Sequence, residues 1–157
     1  MELERTPAGD ILLRDLHQVF VDILIMLPAV LESDDPRVRD RLLPRAYEDD
    51  EEEEEWRRIG APELEHLFAS RVRLIRKDLK TLAPEQGDVY RLDIPRIHEN
   101  AWLSGLNAAR HTFFILNELE PGDVERDPED LKDPEKAMAL LHIHLMGWMQ
   151  ELIMKAG

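Results

Sequence analysis

Apolar residues recur at spacings of three and four through most of this chain, and that period commits it to helices ahead of any other element. Asp10 is a good N-cap, and behind it Leu12, Leu13, Leu16, Val19, Phe20, Ile23, Leu24 and Leu27 share one stripe. A first helix is therefore expected over Ile11 to about Leu27, kinked or ended by Pro28. Val21, Ile25 and Met26 widen its apolar surface past one face. Such a helix is either central to a core or covered by a second copy, and a homodimer through this segment is the expectation.

Helix boundaries follow from caps and prolines. Asp35-Pro36 opens a short helix to about Leu43, before Pro44. Asp50 with Glu53 resembles a capping box, Gly60 marks a stop, and Pro62 opens the next helix, with Leu64, Leu67, Phe68, Val72, Ile75, Leu79 and Leu82 on one face. Ala83 to Arg91 reads as a connection in which Val89-Tyr90 forms at most a stub of strand. A long helix is expected over Asp93 to Leu119 and a last one from Asp133-Pro134 to about Lys155. Between them, residues 120–132 read as an exposed loop rich in Pro, Gly and Asp. The predicted fold is all-α: one helical-bundle-like domain over residues 1–157, with four main helices and one or two short ones.

Composition removes whole classes of function. With 34 Asp plus Glu against 20 Lys plus Arg the net charge is −14, which disfavours a nucleic-acid partner. The absence of Cys excludes disulfides and thiolate chemistry. The most apolar run, Val19 to Leu31, contains Asp22 and Pro28 and falls short of the roughly 20 residues a membrane span needs. The start, Met1-Glu2-Leu3-Glu4-Arg5, is acidic rather than signal-like, so a cytoplasmic protein is expected.

Few residues select a chemistry. Glu63-x-x-His66 has di-iron spacing but no second copy, and it shares a face with Arg73 and Lys77. His142 and His144 stand about 200° apart on a helix, so no metal or other cofactor is expected. Ser33, Ser70 and Ser104 lack a nucleophile-elbow context, and no phosphate-binding glycine loop occurs. Two features concern packing: Ala101, Gly105 and Ala109 make a flat ridge for close helix approach, and Arg71 and Asp78 put charge within an apolar face, where it needs a partner.

The densest cluster of chemistry is Tyr47, Asp49 and Asp50 with Glu55, Arg57 and Arg58, where arginine forks can hold carboxylates around an aromatic anchor. The unbroken acidic run Glu48 to Glu55 is either a solvated face or a surface for a basic partner.

Leu43-Pro44-Arg45-Ala46-Tyr47-Glu48-Asp49-Asp50 followed by Glu55-Trp56-Arg57-Arg58 resembles the signature of a bacterial family, the domain of unknown function numbered two thousand and seventeen. Ala101-Trp102-Leu103 with Leu106, Asn107 and Arg110, and the closing Trp148-Met149-Gln150 with Leu152, echo its later patterns. Trp56 departs from the family's Phe, and His111 to Ile115 depart from its continuation. The resemblance adds Asn107 and Arg110 to the candidate residues. It implies a cytoplasmic helical protein with no assigned activity, and a link to Clp proteolysis through a neighbouring adaptor gene. The functional expectation is a non-enzymatic, acidic helical interaction or regulatory protein. The alternative is a metal-binding or enzymatic helical bundle.

Overall fold

The computed structural model describes residues 1–157 and corrects the all-α expectation, because a four-stranded antiparallel sheet stands beside the helices. Strands β1 (Glu2–Arg5) and β2 (Ile11–Leu16) form a hairpin, closed where the Thr6 amide donates to the Asp10 carbonyl and the Thr6 carbonyl accepts from the amide of Gly9, whose φ is +89°. Helix α1 (Gln18–Leu31) follows, then α2 (Pro36–Leu42) and the long α3 (Asp50–Asp78). The short β3 (Ala83–Pro84) and β4 (Tyr90–Ile94) complete the sheet in the order β1-β2-β4-β3. Helices α4 (Glu99–Leu116) and α5 (Pro134–Lys155) end the chain.

The segment expected to start the first helix is thus a strand, and a bulge explains the misleading spacing. Leu13 pairs with Leu92, yet Leu16 pairs with Tyr90, so β2 spends one residue more than β4 over the same stretch. Asp15 takes up the extra residue with a φ of +51°. Ile11, Leu13 and Leu16 consequently all turn inward, and a strand acquires the three-residue step of a helix. A bulge is invisible to a periodicity count.

That inner sheet face, with Leu92 and Ile94, joins Phe20, Leu24 and Leu27 of α1, Trp102 and Leu106 of α4, and Met146, Met149 and Ile153 of α5 in one core. Each such fully buried side chain contributes roughly 1.5–3 kcal/mol relative to exposure. Val21 is buried within the same chain, Met26 is half-buried, and Ile25 stays 61% exposed, so most of the segment's surplus apolar surface is absorbed internally. Pro28 lies inside α1, which continues past it to Leu31.

Helix α3 also runs through both expected breaks. Gly60 sits within it because the Trp56 ring folds flat over the next turn, into the space a Cβ at Gly60 would need. Pro62 and Arg58, whose carbonyl it leaves without an amide partner, are both exposed, so water can satisfy the freed group. The chain from Asp93 does not enter a helix directly: it finishes β4 and makes a tight turn before α4 begins at Glu99. Residues 120–132, expected as an exposed loop, connect α4 to α5 with two short 3₁₀ turns, Pro121–Asp123 and Pro128–Asp130, and with Leu131 packed beside Leu119, Ala139 and Ile143. The expected small-residue ridge is where α4 takes close neighbours. A Cβ on Gly105 would run into Ile75 of α3 and touch Leu31 of α1. No helix is long and apolar enough to cross a membrane.

Candidate functional site

The signature residues assemble at the start of α3, and they do so mainly as a cap. Asp49, one residue earlier than the capping box anticipated, is the N-cap: its carboxylate accepts from the amides of Glu51 and Glu52 at 3.0 Å each. Glu53, only 8% exposed, reaches back out of the first turn and accepts from the amides of Ala46 and Tyr47, both at 2.9 Å. Arg57, four residues on, donates to the same carboxylate at 2.9 Å. Burial works against the charge on Glu53, but the two amides and the Arg57 guanidinium outweigh it and hold the carboxyl below its usual range. Arg45 donates to the carbonyls of Tyr47 and Glu48 and to Asp50, each at 2.7 Å. A loop that would otherwise be free is thereby locked onto the helix it precedes.

Of the expected cluster, Asp49, Asp50 and Arg57 therefore come together, and Glu53 and Arg45 join them. Glu53, expected as the far half of a capping box with Asp50, instead caps the preceding loop, and Arg45, which lies within the signature, is an addition that the sequence does not single out. Tyr47, Glu55 and Arg58 form no side-chain hydrogen bond or ion pair.

What the cap leaves outside is a small apolar surface with acidic flanks. The outer half of α3 projects beyond the core, burying little between Asp50 and Leu67 besides Glu53 and Ala61. Tyr47, Trp56, Ile59 and Gly60 line a shallow groove with Glu52 and Glu55 at its edge. Tyr47 and Ile59 are about half exposed, at 46% and 50%. The Trp56 indole N–H is shut off from solvent and meets no acceptor. Glu51, Glu52, Glu54 and Glu55 lack ion-pair partners, and like charges three or four apart on a helix repel.

Asn107 and Arg110 lie elsewhere, on the face of α4 toward α2 and α5. Arg110 donates through Nη1 to Gln150 Oε1 at 2.8 Å, and Gln150 in turn donates to the Leu103 carbonyl at 3.0 Å. These residues join the second and third parts of the signature by contact. With Arg41 of α2 and His111, Asn107 and Arg110 border a pocket of about 340 Å³. Burial first, then the charges of Arg41 and Arg110, push the His111 imidazole below its usual range.

The remaining chemistry-bearing residues are scattered. Glu63 and His66 are both exposed on α3. His142 packs edge-on against Phe113 at 5.4 Å, and His144 Nε2 meets the Val124 carbonyl at 3.0 Å. Arg71 spreads over the Phe68 ring at 6.0 Å. Asp78 finds its partners in His98 and Trp102.

The sequence model of the family Domain of unknown function (DUF2017) matches residues 3–157. The chain belongs to this family. Neither the curated proteins nor the solved structures contain a match to it. Because the DUF2017 match takes in both the sheet and the five helices, the hairpin at the start is part of the family's domain and not an appendage to it.

Proposed function

We propose that this chain is a non-enzymatic interaction protein that engages a basic protein partner through the outer half of α3. The observation carrying this reading is the Tyr47–Trp56–Ile59 surface set among four acids that no base of the chain neutralises. A cationic partner would relieve the repulsion among those acids and bury the aromatic and aliphatic side chains between them. The Asp49 and Glu53 caps at the base keep the surface in one geometry, so little ordering is left for the moment of binding. An unsatisfied indole donor, worth about 1–3 kcal/mol, also favours rearrangement of Trp56 against a partner.

The test places a photo-crosslinking side chain at Ile59 and, as control, at Ile97, which is more exposed and on another element. One basic protein should couple through position 59 and not through position 97. Neutralising Glu51, Glu52, Glu54 and Glu55 to Gln, or raising the salt, should abolish the product while helix content stays unchanged. Equal coupling from both positions, or coupling that survives neutralisation, would overturn the reading. A purified Clp adaptor is the first binder to offer in this assay.

A further inference from the structure

We propose that the pocket between α2, α4, α5 and the turn at Pro121 binds the phosphate monoester of a small organic molecule. Its polar rim consists of Arg41, Asn107, Arg110 and His111, and no carboxylate lines it. This is unusual in a chain where acids outnumber bases 34 to 20. Neighbouring Arg37 and Arg39 of α2 each hold an acid, at 3.0 Å to Asp35 and 2.6 Å to Glu65, whereas Arg41 and Arg110 form no ion pair.

Arg110 is moreover held ready. Gln150 fixes one end of its guanidinium, and Gly147 lets the group lie against α5, where a Cβ would stand 3.4 Å from the guanidinium carbon. Only Nη1 of the guanidinium makes a hydrogen bond, so Arg110 lines the pocket with a donor at Nη2 unspent. Two permanent positive charges match the nearly two negative charges of a phosphate monoester at neutral pH, and a guanidinium fork suits its oxygens. Asn107 adds an amide donor. The opposite wall is apolar, from Phe114, Val124 and Ile143, and offers contact to the organic part of the molecule. A volume of about 340 Å³ is at the small end of the range for ligand pockets and admits a metabolite-sized body. This site is separate from the α3 surface and does not depend on its role.

The experiment is calorimetric titration of the full chain in chloride buffer with phenyl phosphate, inorganic phosphate, benzoate and a phosphoserine peptide. Phenyl phosphate should bind at least tenfold more tightly than inorganic phosphate or benzoate, and should raise the melting temperature. Arg41→Gln, at an exposed position, should weaken it at least tenfold with unaltered melting of the free protein. Arg110→Lys, which keeps the charge and removes the fork, should also weaken it, and circular dichroism would show the helices intact. No phenyl phosphate binding below millimolar, binding indifferent to Arg41→Gln, equal affinity for inorganic phosphate, or binding of the phosphopeptide alone would each overturn the proposal.

Discussion

The Asp78 carboxylate and the Trp102 indole meet through a 2.8 Å hydrogen bond, with Asp78 only 3% exposed and Trp102 fully buried. His98 Nδ1 sits 2.9 and 3.0 Å from the two oxygens of the same carboxylate. One acid at the end of α3 therefore fixes the first turn of α4, and β4, which ends at Ile94, is anchored just before it. Asp78→Ala strands both partners inside the core and should destabilise the protein by about 3–5 kcal/mol, measured by urea unfolding. Asp78→Asn keeps the size and one acceptor, and should fall between the two. If Asn proves as damaging as Ala, the charge rather than the hydrogen-bond geometry is what α4 requires.

Glu53→Ala should lower the melting temperature by a few degrees and release the amides of Ala46 and Tyr47 to faster hydrogen exchange. Because the native carboxyl lies below its unfolded value of about 4.5, its contribution is complete above that pH. It disappears as the pH falls through the lowered native value. The wild type should thus lose stability on acidification more steeply than Glu53→Ala over that window, as acid titration followed by circular dichroism would register.

Gly60→Ala should reverse the usual sign. In an exposed helix this change normally stabilises by about 0.5–1 kcal/mol. Here the new Cβ lands on the Trp56 ring, so the ring must leave and the variant should melt lower. In a Trp56→Ala background the same substitution should recover its ordinary gain, and the double-mutant cycle isolates the pair.

Ile25→Glu should leave helix content unchanged and stability within about 0.5 kcal/mol, since the side chain is exposed and its neighbour Val21 is packed inside the same chain. Light scattering decides whether α1 also joins two copies. A mass that drops to 18.3 kDa on this substitution would establish that pairing, and a wild type already at 18.3 kDa would dismiss it.

Where one residue dictates local geometry, the sequence was readable. Asp35-Pro36 and Asp133-Pro134 open α2 and α5 as their cap chemistry requires, with the aspartates accepting from Arg37 and from Glu135. The need of Asp78 for a buried partner was likewise visible from its place on an apolar face. Features that depend on distant chain were not. Ile11 to Leu16 become a strand because Tyr90 to Ile94 pair with them, and nothing local reveals that neighbour. Gly60 and Pro62 are tolerated in α3 because of Trp56 and of exposure, both tertiary circumstances. The same holds for the α2–α4 pocket: Arg41 stands far from Asn107 and Arg110 in sequence and reaches it only once α2 lies on α4.

The bulged pairing of β2 with β4 also governs how fast the protein can reach its native state. Leu13 and Leu92 face each other across the middle of the sheet, yet α1, α2 and α3 lie between them in the chain. Helices of this composition can form on the submicrosecond scale, but the core they cover stays open until that long loop closes. A mostly helical chain is thereby given the kinetics of a mixed α/β domain, with collapse waiting on an encounter between remote strands. Mutations at Leu13 or Leu92 should therefore slow refolding, whereas those along the outer half of α3 should chiefly quicken local opening.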